Sequence, residues 1–126
     1  MRLLLDTATF IYAVKAPERL SKRATSVVQS ARNSLELSAI SVAEIAIKSA
    51  LGKLDLSANT TLQGIQELNI RVLSYTAEHA LRLFAVAPRH GDPFDRQIIA
   101  QALAENIPVV TPDEKFHLYG GLRLIW

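Results

Sequence analysis

The sequence predicts an α/β fold: one domain of three layers (α/β/α), with a central, mostly parallel sheet of about five strands covered by helices on both faces. Three observations lead there. Short apolar runs at residues 2–5, 35–40, 70–73, 107–110 and 122–125 alternate with stretches of helical periodicity, and helices that link successive strands build parallel sheets. The chain has 126 residues, the size of a single domain with one sizeable core. No internal repeat, low-complexity tract or linker rich in Gly, Ser or Pro divides it, so residues 1–126 read as one domain.

Residues 2–5 form an apolar run that ends at Asp6, and residues 7–14 carry apolar side chains at helical spacing until Pro17 stops them. Residues 20–31 suit a second helix, with Ser21 as its cap and Ala24, Val27 and Val28 facing inward. After the strand at 35–40, residues 41–51 form a helix: Ser41 and Glu44 have the spacing of a capping box, and Gly52 suits the helix end. A helix at 58–68, a strand at 70–73, a helix at 77–86 and a turn-rich connection at 88–91 follow. Asp92-Pro93 opens the next helix, because Asp favours the cap and Pro the first helical position. Ile98, Ile99, Ala102 and Leu103 supply its buried stripe. Pro108 is tolerable only near the start of the strand at 107–110. Thr111-Pro112 then caps a short helix, and residues 122–125 form the last strand.

Composition excludes several chemistries. With no cysteine, there is no disulfide framework, thiol nucleophile or cysteine-ligated zinc, and a reducing compartment fits. The apolar runs span only a few residues, far below the roughly 20 that cross a bilayer. The N-terminus reaches Asp6 without a long apolar leader, so a cytoplasmic location is expected. A net charge of +2 does not by itself mark a nucleic-acid binder, and aromatic residues at 6% argue against a broad base-stacking surface.

Acids recur where an open α/β sheet gathers its ligands, beyond the carboxyl ends of the strands. Asp6 closes the first strand, and Glu44 lies in the first turn of the helix after the second. Asp95 lies in the first turn behind Asp92, and Asp113 follows the strand at 107–110. Acids near helix N-termini are also favoured by capping and by the helix dipole. Glu44 therefore doubles as the capping partner of Ser41, Asp95 as a first-turn acid, and Asp113 as another, with Glu114 as its partner. Asp6, directly after a buried strand, has the least structural excuse. Four carboxylates facing one crevice repel one another unless protons or a cation sit between them. Oxygen-only ligands select hard ions, Mg²⁺ or Mn²⁺, over zinc or copper. His79, His90 and His117 lack the spacing of a helical metal pair and read as surface or capping residues.

Four blocks carry a resemblance. They are Leu3-Leu4-Leu5-Asp6-Thr7, Ser38-Ala39-Ile40-Ser41-Val42-Ala43-Glu44-Ile45, His90-Gly91-Asp92-Pro93-Phe94-Asp95-Arg96 running on through Ile98-Ile99-Ala100-Gln101-Ala102, and Val110-Thr111-Pro112-Asp113. In this order, over almost the whole chain, they resemble the PIN domain, and more narrowly the toxin ribonucleases of bacterial VapBC-type toxin-antitoxin pairs. The resemblance implies a PIN-like fold, hydrolysis of RNA phosphodiesters with Mg²⁺ or Mn²⁺, a cognate antitoxin and a homodimer. Its acidic quartet falls on Asp6, Glu44, Asp95 and Asp113, with Asp92 as helix cap or outer residue. Thr7 and Thr111 are placed to hydrogen-bond a carboxylate or a bound water. The chain departs at Ala8 and Ala43, where relatives carry His and Trp. Lys48, one helical turn after Glu44, is a candidate phosphate contact together with Lys53 and Arg96. The ordinary alternative for each is a solvated cation or, for Arg96, a salt bridge.

Two other readings compete. A receiver-type phosphoacceptor shares the length and an acidic pocket, but it needs an aspartate at the end of a central strand. Asp55 instead sits between Leu54 and Leu56 in a loop. A PIN fold kept only as an interaction module ordinarily has a damaged acid set, whereas here the set is complete.

Overall fold

Strand alternation decides how the two sides of the molecule are filled. In β1 (Arg2–Leu5) Leu3 and Leu5 point to one face of the sheet and Leu4 to the other, as the two-residue period of a strand requires. The structure, a computed structural model, describes residues 1–126. Its other strands are β2 (Ser34–Ser38), β3 (Arg71–Leu73), β4 (Val109–Val110) and β5 (Leu124–Ile125). They lie in the order β3-β2-β1-β4-β5, and every pair is parallel.

On the face of Leu3 and Leu5, the core takes in Phe10 from α1 (Thr7–Lys15), Ala24 from α2 (Lys22–Gln29) and Ile45 from α3 (Ala39–Ala50). Ile65 and Leu68 bring α4 (Ala58–Glu67) onto the same face. On the opposite face, Leu4 and Val109 meet Ile98, Ile99 and Ala102 of α6 (Pro93–Glu105). Val86, beyond α5 (Ala77–Arg82), joins them. Strands buried on both faces read as continuous apolar runs, which is why Leu3-Leu4-Leu5 signals β1 without alternation. No helix is long and apolar enough to cross a membrane.

Several boundaries differ from the sequence reading. The helix expected at 41–51 begins at Ala39, two residues early, because the Ser38 hydroxyl accepts the Ile40 N–H and takes the cap. The Ser41–Glu44 capping box is therefore not formed. The helix expected at 77–86 ends at Arg82 and tightens into a 3₁₀ turn at Leu83–Ala85. The strand at 107–110 shortens to Val109–Val110, since Pro108 has no N–H to donate and offers only its carbonyl, to Leu4 N. Asp113, not Thr111, caps the following 3₁₀ segment Glu114–Leu118.

One glycine fixes the distance between α1 and α4. A Cβ at Gly64 would stand 2.6 Å from Val14 Cγ2, and a valine in a helix cannot easily rotate away. Gly64→Ala is expected to lower stability in urea unfolding. Overpacking costs about 1–3 kcal/mol, more than the roughly 1 kcal/mol of helix propensity that alanine brings. A variant as stable as the parent would show that the two helices can separate freely.

The strand order places β1 at the centre, with β2 on one side and β4 on the other. The chain therefore switches direction across the sheet between β1 and β4. In an open α/β sheet the crevice beyond the carboxyl ends at such a point is where ligands bind.

Candidate active site

Each acid at the carboxyl edge is brought there by a chain turn that also gives it a hydrogen-bond donor. Asp6 leaves β1 and caps α1: its Oδ1 accepts the Thr9 N–H at 2.8 Å. Its Oδ2 accepts the Thr111 hydroxyl at 2.6 Å. The structural excuse that the sequence did not offer for Asp6 is therefore present, and it leaves the side chain only 3% exposed. Thr111 follows β4 and also accepts the Asp113 N–H at 3.0 Å, so one hydroxyl ties Asp6 to the turn that carries Asp113.

Glu44 lies on α3, across from Thr7 of α1. Thr7 Oγ1 is 2.7 Å from Glu44 Oε1 and 2.9 Å from Ser41 Oγ. A hydroxyl has one hydrogen, so Thr7 donates to the carboxylate and accepts from Ser41. Lys48, one turn along α3, closes an ion pair with Glu44 Oε2. Asp92 caps α6 by accepting the N–H groups of Phe94 and Asp95 at 2.9 and 3.1 Å. Asp95, in the first turn behind it, receives His90 Nε2 at 3.3 Å.

Asp6, Thr7, Ala8, Glu44, Lys48, Lys53, Asp92, Asp95 and Asp113 line one cleft of about 340 Å³. Four elements far apart in sequence thus bring five carboxylates to one opening, with two lysines at its wall. Arg96 is not among them. One position beyond Asp95, it turns about 100° around the helix and donates from Nη2 to the Val86 carbonyl at 3.0 Å. The structure thus does not bring Arg96 into the cleft with Lys48 and Lys53, and it forms no salt bridge with Asp95 either. His90 is the residue the sequence reading passed over, and His79 is buried as the capping partner of Thr76. The signal for His90 was faint: it stands in the same block as Asp95, but its other partner, Tyr119, comes 29 residues later.

The electrostatics of the cleft favour taking up positive charge. Burial pushes the Asp6 carboxyl up to about 6, against the Thr111 and Thr9 hydrogen bonds that favour its ionised form. Asp95 is pushed up to about 8 by burial first, then by the negative charges of Asp92, Asp6, Asp113 and Glu44. Lys48 is held above its ordinary value, mainly by its hydrogen bond to Glu44. A site that holds protons this tightly on carboxylates gains by exchanging them for a hard cation. The donor set fits that exchange, being all oxygen. As they stand, no three acidic or histidine side chains lie close enough together to hold an ion between them.

The chain matches a known family. The family model of the PIN domain covers residues 3–122. The chain belongs to the PIN-domain family. No curated protein sequence matches it significantly. Among solved structures, this PIN domain is similar to VapBC2 from Rickettsia felis bound to a DNA fragment from the promoter, with a TM-score of 0.73 and 18% identity over 98% of this chain and 97% of that one. DNA-bound VapBC from Salmonella typhimurium gives a TM-score of 0.72 and 19% identity, covering 98% of this chain and 96% of the other. VapBC-1 from nontypeable Haemophilus influenzae gives 0.66 and 24%, again covering 98% and 96%. At these identities the likeness speaks for the fold.

Proposed function

We propose that this PIN domain is a Mg²⁺- or Mn²⁺-dependent ribonuclease and the toxin of a toxin-antitoxin pair. The observation that carries the reading is the convergence of Asp6, Glu44, Asp92, Asp95 and Asp113 on one cleft at the switch point, with Asp95 lifted to about 8. Asp6, Asp95 and Asp113 would hold the ion, directly or through water. Such an ion supplies Lewis acidity at the phosphoryl group and acidifies water. Glu44, held by Thr7 and Lys48, would join the ligands or accept a proton from the attacking water. Lys48 and Lys53 line the same cleft and would meet the phosphates of the RNA.

A labelled mixed RNA pool incubated with purified protein in Mg²⁺, Mn²⁺ or EDTA tests this. Cutting that appears with either ion and stops in EDTA supports the reading. Intact RNA in every lane, with no metal uptake in calorimetry, leaves a PIN-fold interaction module as the better account.

The antitoxin reading has its own support in the surface. An apolar groove of about 390 Å³ runs between α3 and α4, lined by Val42, Ile45, Ala46, Leu56, Leu62 and Ile65. Ile45 lines the acidic cleft as well, so a partner segment seated in the groove reaches the site without a long detour. Ala46→Arg is expected to weaken antitoxin binding by at least about tenfold in a pull-down titration, while RNA cleavage by the free toxin stays as in the parent. Unchanged binding would move the partner elsewhere. A homodimer belongs to the same reading, and Leu81 and Phe84, 66% and 91% exposed, offer it an apolar patch remote from the groove residues in sequence.

A further inference from the structure

Asp6, Glu44 and Asp92 each accept two hydrogen bonds, and Asp113 accepts one from a backbone N–H. The Asp95 side chain has a single protein partner, the imidazole of His90. That imidazole is itself held. Its Nδ1 lies 2.7 Å from the Tyr119 hydroxyl, and the same hydroxyl accepts the His90 backbone N–H at 3.3 Å. The two rings meet edge to face at 5.4 Å between centroids. Tyr119 is 7% exposed and the His90 side chain 8%, so water does not compete freely for either group.

We propose that Tyr119 and His90 form a positioning chain that sets the orientation of the Asp95 carboxylate in the cleft. The inference rests on the metal-dependent reading of the site. The Tyr119 oxygen receives the backbone N–H; in the tautomer that carries the ring hydrogen on Nε2, the Tyr119 hydroxyl donates to Nδ1 and the Nε2–H faces Asp95 Oδ2. A carboxylate that points at a cation is effective only when its rotation is restricted, and groups that hydrogen-bond such ligands commonly serve this purpose. Asp92 makes no hydrogen bond to the Asp95 side chain; its Oδ1 accepts the backbone N–H groups of Phe94 and Asp95. The chain also links two stretches distant in sequence: the connection before α6 and the segment after Glu114–Leu118. A purely structural staple between these stretches is the competing account.

The test separates the two by measuring Mn²⁺ binding to RNA-free protein, read from the electron paramagnetic resonance signal of free Mn²⁺. Thermal unfolding of each variant is recorded alongside. Glutamine places an amide N–H near the position of Nε2, so His90→Gln keeps the donor to Asp95, whereas His90→Ala removes it. The expected result is a loss of about 10- to 100-fold in Mn²⁺ affinity for His90→Ala and recovery to within about threefold of the parent in His90→Gln. Tyr119→Phe, which keeps the ring and deletes only the hydroxyl, should fall between them. Equal affinity of His90→Ala and His90→Gln overturns the proposal. If His90→Ala fails to fold, Tyr119→Phe decides: parental affinity there also overturns it. A parent protein that takes up no Mn²⁺ removes the metal reading itself, a result distinct from normal uptake that ignores the substitutions.

Discussion

Asp95→Asn is expected to slow RNA cleavage by at least about a thousandfold, the equivalent of roughly 4 kcal/mol of lost transition-state stabilisation, and at the same time to make the metal-free protein more stable above neutral pH. The first half follows from the charge. Asparagine keeps the shape and can still accept from His90 Nε2, but it brings no anion to the cleft. The second half follows from linkage. Asp95 titrates near 8 in the folded chain, against about 4 when unfolded, so between those values the folded state binds more protons than the unfolded state. Stability is then fully present below about pH 4 and is lost as pH rises through the folded value. Asp6, at about 6, adds to the loss over the lower part of that window. In thermal unfolding with EDTA, Asp95→Asn should melt above the parent at pH 8, and the two should coincide near pH 4. Saturating Mg²⁺ should stabilise the parent and leave the variant almost unmoved. A variant that melts below the parent at pH 8 would mean that the Asp95 charge is compensated by something other than a cation.

Much of this site was legible because each acid sits at a position the fold must place at the carboxyl edge. An apolar strand followed by an acid, repeated before successive helices, is enough to bring Asp6, Glu44, Asp95 and Asp113 to one crevice once the sheet is parallel. The errors have local causes. Ser38 and Ser41 are both able to cap a helix, and spacing to Glu44 favours Ser41. The chain chooses Ser38 because β2 ends there, which frees Ser41 and Glu44 to bond Thr7 instead. Arg96 follows Asp95 directly in sequence, yet helical rotation sends it to the Val86 carbonyl. His90 escaped because its meaning depends on Tyr119, and no local pattern announces a contact across 29 residues. Glu36 escaped for the opposite reason: in Ser34-Leu35-Glu36-Leu37-Ser38 it looks like an ordinary solvent-facing residue of an alternating strand, and it is 2% exposed.

That buried glutamate leads to the second large expectation. Glu36 faces the α6 side of the sheet next to Leu4, and Arg2 clamps it with Nε at 2.5 Å and Nη2 at 2.9 Å. The same guanidinium reaches Glu105 at 2.9 Å. Glu105 is held below the usual carboxylate range by His79 first and Arg2 second. Arg71, 3.9 Å from Glu36 and 72% exposed, is too distant and too solvated to replace Arg2. Arg2→Met should therefore destabilise the fold by about 3–5 kcal/mol in urea unfolding, because it leaves a buried carboxylate without its counter-ion. Adding Glu36→Leu should recover most of that loss, since an apolar pair of similar volume escapes the desolvation that the ion pair must offset. Arg2 opens β1 and Asp6 follows its last residue, and four residue steps of strand separate the two by roughly 13 Å. Cleavage per folded molecule should accordingly stay at the parental rate in the double variant. A single variant as stable as the parent would show that Glu36 reaches water or another cation. A double variant that folds but no longer cuts RNA would show that charge at the start of β1 is felt at its end.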